Sequence, residues 1–515
     1  MENHTVSAVI KAGCDRYPDI AAVKYLRHRE VVEKSYTQLW ADCQSMARAL
    51  AAHGYAGQKV AIVGASSYQW ITTYLGAVCC GAVAVPLDAG LPPEDLWDLV
   101  ARSGAACLFC DPAVKQVAGE AKAHCPALRA VIALSEDKPE DGEAGAQGWP
   151  DLLAEGAATA AQGDATPAGE DALCTMLFTS GTTGKSKGVM LTNRNLADNV
   201  LNVYIDTPAG TSILSVLPIH HAFCLSMDWL KGFSVGATVC INDSLLHLLK
   251  NIKRFQPRAI LMVPLMVETI YKKLRAVNPL LPKKIVAKEA FGGNLEYVFC
   301  GGARLDPFYI EEFQKYGVCI YQGYGMTECS PAISMNGQQA NKAGSVGRPL
   351  PNCEIRFVDE EIQVRGSSVM AGYYEMPAET AETLQDGWLC TGDLGRLDDG
   401  GFLYITGRKK NLIILSNGEN ISPEELEGKL ALERLIEEIV VTGNGNGLTA
   451  HIYPDPELVE KKRWDAARVQ TELQKLIDAY NAKQPTYKQI VGIKIRDTPF
   501  VKSSTRKIKR NLVQD

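Results

Sequence analysis

The sequence has no apolar run that approaches the length of a membrane span. Its first residues, MENHTVSAVIKAGCDRYPD, contain neither the basic segment nor the continuous apolar segment of a secretory signal. The formal net charge is only −6, which gives the protein as a whole no attraction to nucleic acid or to an anionic membrane. These absences predict a cytoplasmic protein with no transmembrane segment and no nucleic-acid partner.

The cysteines do not form the pattern of a disulfide framework. There are fifteen of them, an odd number, and several lie inside apolar segments, such as Cys79, Cys80 and Cys240. Such positions are typical of reduced thiols in the core of a cytosolic protein. A chain of 515 residues is also too long to fold around one ordinary hydrophobic core, so two or more domains are expected.

Short β-type segments alternate with helix-length segments through most of the chain, which predicts an α/β fold. Strands are predicted at 60–64, 82–87 and 106–110, with helices at 68–80 and 94–103. Continuous apolar strands in this alternation predict mostly parallel sheets covered by helices. Further strands of this kind are expected at 213–217, 237–241, 259–263, 295–300 and 318–321. Residues 136–169, rich in Ala, Gly, Asp and Glu, are expected to form an irregular surface excursion.

The pattern changes after about Asn352. Strands at 354–358, 361–364 and 401–405, joined by tight turns, predict a small β-unit. Helices at 423–432 and 465–483, a hairpin around 443–447 and a strand at 490–496 then predict a small α+β domain. We therefore expect a large N-terminal domain, residues 1–409, and a small mobile C-terminal domain, residues 410–515.

A glycine- and hydroxyl-rich segment between two apolar strands is the most informative local feature. It reads TSGTTGKSKG over residues 179–188. Glycines let backbone N–H groups turn towards an anion, hydroxyls donate hydrogen bonds and lysines neutralise charge, which together suit a polyphosphate. The common nucleotide-binding pattern G-x-x-x-x-G-K-[ST] fails at its first glycine, where Thr179 stands. A flexible exposed hairpin has the same composition, so the interpretation depends on the rest of the chain.

The segment resembles the phosphate loop of the adenylate-forming (AMP-binding) superfamily, which includes acyl-CoA synthetases, luciferases and the adenylation domains of peptide synthetases. Further segments resemble motifs of that superfamily in the same order, over roughly residues 60 to 510. These segments are LPIHHAF (217–223), GGA (301–303), YGMTE (324–328), TGD (391–393), GRKK (407–410) and FVKSSTRKIKR (500–510). Alone, each has a plainer explanation, such as an exposed turn, a loop histidine pair or a solvated basic tail.

The resemblance implies a set of nucleotide-binding residues. Thr182 and Lys187 would act in catalysis from the phosphate loop, and Glu328 would act there and hold Mg²⁺ beside the phosphates. Tyr324 would pack on adenine, Thr327 would contact the α-phosphate, and Asp393 with Arg408 would hold the ribose. The remaining nucleotide-binding positions are Thr179, Ser180, Gly181, Thr183, Gly184, Lys185, Gly302, Ala303, Gly323 and Gly325.

The same resemblance implies an acid pocket, a hinge and a catalytic lysine. The pocket residues would be His221, Phe223 and Gly301, whereas His220 has no clear counterpart. Lys410 would be the hinge, Gly418 and Asn420 would lie in the loop that faces the site during thioester formation, and Lys507 would be the catalytic lysine. The chain departs from the family at Asn411, which replaces an acidic residue, and at Val501 and Arg506, which replace proline and glycine.

The implied activity is that of an acid–thiol ligase using ATP, Mg²⁺ and coenzyme A. The carboxylate attacks the α-phosphorus of ATP to give an acyl adenylate and pyrophosphate; the small domain then rotates about Lys410 and admits the thiol. Asp228 lies later than the position that binds a substrate ammonium, which favours an acid without an α-amine: a fatty acid first, an aryl or bile-type acid second. Two alternatives stay open, a ligase that loads a separate carrier protein and a nucleotide-binding homologue weakened by Arg506. The sequence does not indicate an oligomeric state.

Overall fold

The computed structural model of the chain describes residues 4–137, 147–179, 186–277, 281–415, 419–444, 447–502 and 508–513. The chain divides into two compact units. The first unit comprises Met1–Ala303, Phe308–Ile355 and Val364–Cys390, and the second comprises Arg304–Pro307, Arg356–Gln363 and Thr391–Asp515.

Helices and strands alternate along most of the chain, as the apolar pattern predicts, and both units contain both kinds of element. The helices are α1 (Val6–Arg16), α2 (Tyr36–Ala52), α3 (Tyr68–Cys79), α4 (Pro93–Ser103), α5 (Lys115–His124), α6 (Trp149–Ala158), α7 (Asn193–Asn202), α8 (Lys231–Ser234), α9 (Leu248–Phe255), α10 (Pro264–Ala276), α11 (Lys283–Phe291), α12 (Pro307–Lys315), α13 (Pro377–Thr383), α14 (Pro423–Leu430), α15 (Pro456–Lys462) and α16 (Ala466–Asn481). The strands are β1 (Ala21–Arg27), β2 (Glu30–Ser35), β3 (Lys59–Val63), β4 (Val83–Leu87), β5 (Cys107–Cys110), β6 (Ala130–Ala133), β7 (Leu173–Thr179), β8 (Lys187–Thr192), β9 (Ser212–Ser215), β10 (Thr238–Ile241), β11 (Ala259–Met262), β12 (Tyr297–Cys300), β13 (Cys319–Gly325), β14 (Ala332–Met335), β15 (Arg348–Pro349), β16 (Cys353–Val358), β17 (Glu361–Gly366), β18 (Gly372–Tyr373), β19 (Leu384–Gln385), β20 (Trp388–Leu397), β21 (Leu403–Arg408), β22 (Ile413–Ile414), β23 (Asn420–Ile421), β24 (Ile436–Asn444), β25 (Gly447–Pro454) and β26 (Ile490–Ile495). In the part of the chain that is described, no helix combines the length and the apolar character needed to cross a membrane.

A nine-stranded sheet in the first unit has the order β15-β14-β13-β12-β11-β9-β10-β1-β2. Six neighbouring strands of this sheet pair in parallel, in the order β1, β10, β9, β11, β12 and β13. Parallel strands are covered by helices on both faces and therefore need apolar side chains on both; every residue of β10 and β11 is buried. The carboxyl ends of these strands lie at one edge of the sheet, where open α/β sheets bind their ligands.

A seven-stranded sheet in the same unit has the order β18-β8-β7-β4-β3-β5-β6. Its parallel part, β4, β3, β5 and β6, is buried in an apolar cluster that includes Val63, Leu87 and Leu108. β7 and β8 pair antiparallel, with Thr179 opposite Lys187. The sheet therefore holds both ends of the segment whose composition suits phosphate.

The second unit has its own core around the sheet β24-β25-β26. Apolar side chains of α14 and α16, among them Leu426 and Leu473, pack into one cluster with Ile452 of β25. β22 and β23 form a separate two-stranded ribbon. A further sheet has the order β16-β17-β20-β19, and β21 pairs with β20.

The predicted α/β class is confirmed, and most predicted strands lie within two residues of their observed bounds. The prediction of an irregular surface excursion over residues 136–169 is wrong for residues 149–158, which form α6, and residues 138–146 lie outside the described residues. Trp149 of α6 is buried, and its indole N–H donates to Thr72 Oγ1 at 3.2 Å. Gly156 packs so closely on α2 that a β-carbon there would lie 1.7 Å from the Ser45 carbonyl oxygen. The Ala- and Gly-rich composition reflects this close helix packing.

All fifteen cysteines lie among the described residues, and no disulfide joins any two of them. Thirteen are buried. The prediction that the cysteines lie in the core is confirmed for these thirteen.

Candidate nucleotide and acid site

Two sequence-predicted segments meet at the carboxyl edge of the nine-stranded sheet. β12 ends at Cys300, which pairs with Gln322 of β13, so Gly301, Gly302 and Ala303 follow one strand beside the neighbouring segment 323–327. The sequence placed the YGMTE motif after its strand, but Tyr324 and Gly325 are the last residues of β13. The strand extends because both residues pair antiparallel with β14.

The chain beyond β13 turns sharply and is held from α7. A β-carbon at Gly325 would lie 1.9 Å from the Pro331 carbonyl oxygen, so only glycine allows this approach. The buried Asn199 of α7 donates to the carbonyl oxygens of Cys329 at 3.1 Å and Ala332 at 2.8 Å. These contacts fix the single turn Thr327–Cys329, which carries Glu328.

Tyr373 joins Glu328 and Lys187 in a three-residue cluster. The Tyr373 hydroxyl donates to Glu328 Oε1 at 2.8 Å, and Lys187 Nζ lies 4.7 Å from the centre of the Tyr373 ring. Glu328 is 9% exposed. Burial and the neighbouring Glu328 carboxylate raise the pKa of Tyr373, so the tyrosine stays protonated and keeps donating. The structure thus brings Lys187 and Glu328, which are 141 positions apart, into contact with one tyrosine.

Tyr373 is not among the residues predicted from the sequence. It lies in β18, a two-residue strand that pairs with β8 so that Tyr373 faces Val189, two residues beyond Lys187. Its only local signal is a Gly-Tyr pair in a segment of mixed character. The pairing with β8 gives that pair its position beside the phosphate-loop hairpin.

Arg102 of α4 is not among the predicted residues either. Its guanidinium donates to the Ser186 carbonyl oxygen at 2.7 Å and lies 5.7 Å from the centre of the Phe178 ring. Phe178 and Ser186 are on opposite sides of the hairpin turn. Arg102 therefore ties together the two ends of the segment whose composition suits phosphate.

The predicted acid-binding residues meet at the same sheet edge. The Phe223 ring packs on Gly301, where a β-carbon would lie 3.0 Å from the ring. The His220 and His221 rings lie 4.1 Å apart, and His220 Nε2 lies 3.6 Å from Asp88 Oδ2. Burial, with a smaller contribution from His221, lowers the pKa of His220 to about 3. His220 is therefore a neutral, buried support for His221 at neutral pH.

The segment after Phe223 is buried and almost entirely apolar. It forms a π-helix, Cys224–Leu230, all of whose residues are buried. Asp228 is its one carboxylate, and Asp228 Oδ2 accepts from Cys224 Sγ at 3.6 Å. Burial raises the pKa of Asp228 to about 7.

In the second unit, Asp393 and Arg408 form the pair that sequence analysis expected. They face each other across β20 and β21, and Arg408 Nε donates to Asp393 Oδ1 at 2.8 Å. Thr391 fixes the turn before Asp393, since its hydroxyl accepts from the Asp393 N–H at 3.1 Å. The Asp393 carboxylate is largely buried beside a fixed arginine.

The predicted hinge and thioester-step residues also belong to the second unit. Lys410 lies in the single turn Lys409–Asn411, directly after β21. Asn411, where the family has an acidic residue, donates to Glu424 Oε1 at 2.6 Å. Asn420 is exposed at the start of β23. The remaining predicted site residues lie outside the described residues: Ser180, Gly181, Thr182, Thr183, Gly184, Lys185, Gly418 and Lys507.

Both flanks of the terminal segment are firmly held. Lys502 and Ile508 form an antiparallel bridge. Arg510 makes a two-pronged ion pair with Glu427 of α14, both contacts at 2.7 Å, and also donates to the Val441 carbonyl oxygen at 3.1 Å. The segment that carries Lys507 therefore begins and ends at fixed points of the second unit.

Comparison with known proteins gives one family for both parts of the chain. The family model described as "AMP-binding enzyme" matches residues 10–374, and that described as "AMP-binding enzyme C-terminal domain" matches residues 410–515. A long-chain-fatty-acid–CoA ligase of Mycobacterium bovis, FadD15, is 30% identical over 454 residues, which cover 79% of this chain and 74% of the relative.

Two further comparisons cover almost the whole chain. The chloroplastic long-chain-fatty-acid–[acyl-carrier-protein] ligase AEE15 of Arabidopsis thaliana is 27% identical, over 99% of this chain and 85% of the relative. The solved structure of the o-succinylbenzoate CoA synthetase of Bacillus subtilis, in complex with ATP and a magnesium ion, is similar with a TM-score of 0.76 at 25% identity. That similarity covers 98% of this chain and 99% of the other.

Proposed function

Since this chain belongs to the AMP-binding enzyme family and is an AMP-forming acid–thiol ligase, we propose that it activates a fatty acid and transfers the acyl group to coenzyme A. In the first step a carboxylate oxygen bonds to the α-phosphorus of ATP while the bond to the β-phosphate breaks, which releases pyrophosphate. In the second step the CoA sulfur bonds to the acyl carbon, and AMP leaves with the carboxyl oxygen.

The cluster of Lys187, Tyr373 and Glu328 is the observation that carries the proposal. Transfer at the α-phosphorus needs positive charge beside oxygens that gain negative charge, and that charge must be positioned in advance. Lys187 supplies an ammonium at the base of the hairpin, and Glu328 supplies an oriented carboxylate on the neighbouring turn. Lys187 lies over the Tyr373 ring and Glu328 accepts from the Tyr373 hydroxyl, so one tyrosine contacts both groups.

The residues present fit a magnesium ion of the kind that nucleotide enzymes bind. Mg²⁺ is commonly held by one or two carboxylates together with substrate phosphates, not by a cage of protein ligands. Glu328 is such a carboxylate, and the described residues contain no group of three or more His, Cys, Asp and Glu that could form a cage. When bound, the ion neutralises phosphate charge; Glu328 would hold it, and Tyr373 orients Glu328.

We assign the other sequence-predicted residues to the same reaction. Residues 179–187 would bind the β- and γ-phosphates, Tyr324 and residues 301–303 the adenine, and Asp393 with Arg408 the ribose. Lys507 would act in adenylation only, and a domain of residues 410–515 would rotate about Lys410 before the thiol step. The anchored flanks of residues 503–507 support this role, because a cation delivered by domain movement has to be carried on a rigid support.

The surroundings of Asp228 support an acid without an α-amine. A substrate ammonium needs an ionised carboxylate at its side. Asp228 is fully buried, is hydrogen-bonded to Cys224, and has a pKa raised to about 7, so it is a poor partner for an ammonium. The buried apolar residues around Phe223 instead favour an aliphatic chain.

Pyrophosphate release over a panel of acids tests the proposal. The panel runs from acetate to long-chain fatty acids, with aryl acids and amino acids included, each assayed with CoA, with a carrier protein and with neither. We expect turnover with fatty acids that depends on CoA, and loss of release in Glu328→Gln. Lys507→Ala should lose adenylation but keep thioester formation from a supplied acyl adenylate.

Each other outcome contradicts a named part of the proposal. Turnover only with carrier protein, the activity in the name of the Arabidopsis relative, would make the chain a carrier-loading ligase. ATP binding without release for any acid would make it the weakened homologue that Arg506 motivates. We further propose a cytoplasmic location, which the buried thiols support.

A further inference from the structure

Charge is distributed very unevenly along the first unit. Residues 243–294 contain ten Lys and Arg but three Asp and Glu, a net charge of +7, whereas the remainder of the chain carries −13. Of the ten basic residues, Arg258 pairs with Glu296 and Lys283 with Glu312. The other eight are exposed. A protein with a net charge of −6 therefore has one strongly basic region.

The topology places this basic region on one face of the nine-stranded sheet. α9 connects β10 to β11, and α10 with α11 connects β11 to β12; both connections move along the sheet in the same direction. Right-handed connections that move in one direction place their helices on the same face. α11 packs against α9 and α10, and a β-carbon at Gly292 would lie 3.4 Å from Lys253 Cα. The charges of the three helices thus form one continuous surface.

Apolar side chains project from the same surface. Leu246, in the turn before α9, is 95% exposed, the largest value among the exposed large hydrophobic residues described. Leu245 beside it and Ile285 of α11 are each about half exposed. On α9 the buried side is Asn251, Ile252 and Phe255, whereas Lys250, Lys253 and Arg254 face solvent. The basic face of α9 therefore lies next to protruding leucines, which combines the two interactions that hold proteins at an anionic membrane surface, apolar burial and charge attraction.

We propose that this face, formed by Leu245, Leu246 and the exposed sides of α9, α10 and α11, binds the surface of an anionic lipid bilayer. Each Lys or Arg near an anionic membrane strengthens binding through the surface potential, and clusters of four to eight are typical of binding to anionic lipids. The leucines would enter the headgroup region beside these charges. The proposal does not depend on which acid the enzyme activates.

An acidic protein is the other class of partner that a basic face can bind. A bilayer is favoured because the basic residues are spread over three helices and Leu246 protrudes from a turn, where it meets a fluid layer without needing a matching pocket. The three acidic residues of the region, Asp243, Glu268 and Glu289, are already counted in its net charge of +7, so basic residues remain in excess. The separation of charge therefore remains at the surface.

Vesicle co-sedimentation of the full chain tests the proposal. The probes are vesicles of phosphatidylcholine alone and vesicles in which about one third of the lipid is phosphatidylglycerol. The charge variant is Lys250→Gln, Lys253→Gln, Arg254→Gln; its control, Lys461→Gln, Lys462→Gln, Arg463→Gln, changes the same residue types at exposed positions of the second unit. The leucine variant is Leu245→Ser, Leu246→Ser, and its control is Val491→Ser, also strongly exposed. Thermal unfolding confirms that each variant is folded.

We expect the wild type to bind the anionic vesicles at least about tenfold more tightly than the neutral ones, and salt to weaken that binding. The charge variant should lose about tenfold or more and the leucine variant severalfold, while both controls bind as the wild type does. Three results would overturn the proposal: no vesicle binding, equal binding to both kinds of vesicle, or equal loss in a variant and its control. Capture of a small acidic carrier protein, abolished in the charge variant and without vesicle binding, would also overturn it and identify a protein-docking face. Binding is measured without turnover, so failure of the proposed activity leaves this test intact.

Discussion

Tyr373→Phe should impair adenylation through the magnesium requirement. The substitution removes the hydroxyl that donates to Glu328 at 2.8 Å but keeps the ring, and with it the contact to Lys187. A hydrogen bond to a charged group contributes about 1.5 to 3 kcal/mol. Glu328 is 9% exposed, so water replaces the lost donor poorly and the full range applies. Since about 1.4 kcal/mol corresponds to a factor of ten in an equilibrium or rate constant, we expect adenylation to slow by about ten- to one-hundred-fold.

The chain offers a matched control for this substitution at the next position. The Tyr374 hydroxyl accepts from Lys59 Nζ at 3.1 Å, and Lys59 also lies 4.5 Å from the centre of the Tyr374 ring. Tyr374→Phe therefore removes a comparable hydrogen bond and keeps a comparable ring contact, but it does not touch Glu328. Because this contact is only partly buried and does not involve Glu328, we expect less than about a threefold effect on adenylation.

Exchange of labelled pyrophosphate into ATP, measured over a range of Mg²⁺ concentrations, distinguishes positioning from general damage. In Tyr373→Phe the Mg²⁺ concentration for half-maximal exchange should rise, and thioester formation from a supplied acyl adenylate should be almost unchanged. Equal losses in Tyr373→Phe and Tyr374→Phe would refute the reasoning. So would a loss that no concentration of Mg²⁺ relieves.

Three further predictions concern stability. Arg510→Met leaves the buried Glu427 carboxylate without its arginine and should lower the free energy of unfolding of the second unit by about 2 to 4 kcal/mol in urea; a change below about 0.5 kcal/mol would contradict the anchoring role. The pKa of His220 falls from 6.5 to about 3 on folding, so the folded state binds fewer protons and stability is lost as the pH falls below 6.5. From about pH 7 to about pH 5 the loss from His220 alone is about 2 kcal/mol, and an opposite contribution from Asp228 largely offsets it in the wild type; His220→Asn should therefore gain about 2 kcal/mol more stability than the wild type over this range in urea titrations. The pKa of Asp228 rises from 3.8 to about 7, so stability is lost in the opposite direction, as the pH rises from 3.8 to about 7, by up to about 4 kcal/mol. Asp228→Asn should not show that loss; a pH dependence equal to that of the wild type would contradict the assignment.

The sequence was sufficient for the sheets and for the residues at their edge, because these depend on local patterns. Continuous apolar segments such as those of β10 and β11 are specific to buried parallel strands, and the polar motifs follow directly after them. Once the strands are parallel, their carboxyl ends share an edge. The position of Gly301, directly after β12, next to the strand that carries Tyr324 can therefore be predicted without information on distant contacts.

Tyr373 and Arg102 could not be predicted in the same way, because their positions depend on pairing between distant segments. β18 is only two residues long and is defined by its partner β8, about 180 positions earlier. Arg102 contacts the phosphate-loop hairpin across 84 positions. The Ala- and Gly-rich range that contains α6 misled sequence analysis for a related reason: small residues indicate a loop by composition, whereas here they allow α6 to approach α2.

The departures of the terminal segment from its family have a physical context in the second unit. Arg506 stands where the family has glycine, but the described residues on either side are held by contacts that need no glycine. The Phe500 N–H donates to Glu438 at 2.7 Å, and Lys502 forms an ion pair with the same carboxylate. On the other side Arg510 is fixed to Glu427. Because two carboxylates on α14 and β24 set where the segment begins and ends, a change of residue type between them leaves these anchor points in place. We therefore propose that Arg506 does not abolish adenylation; pyrophosphate release by the wild type would support this proposal, and ATP binding without release for any acid would contradict it.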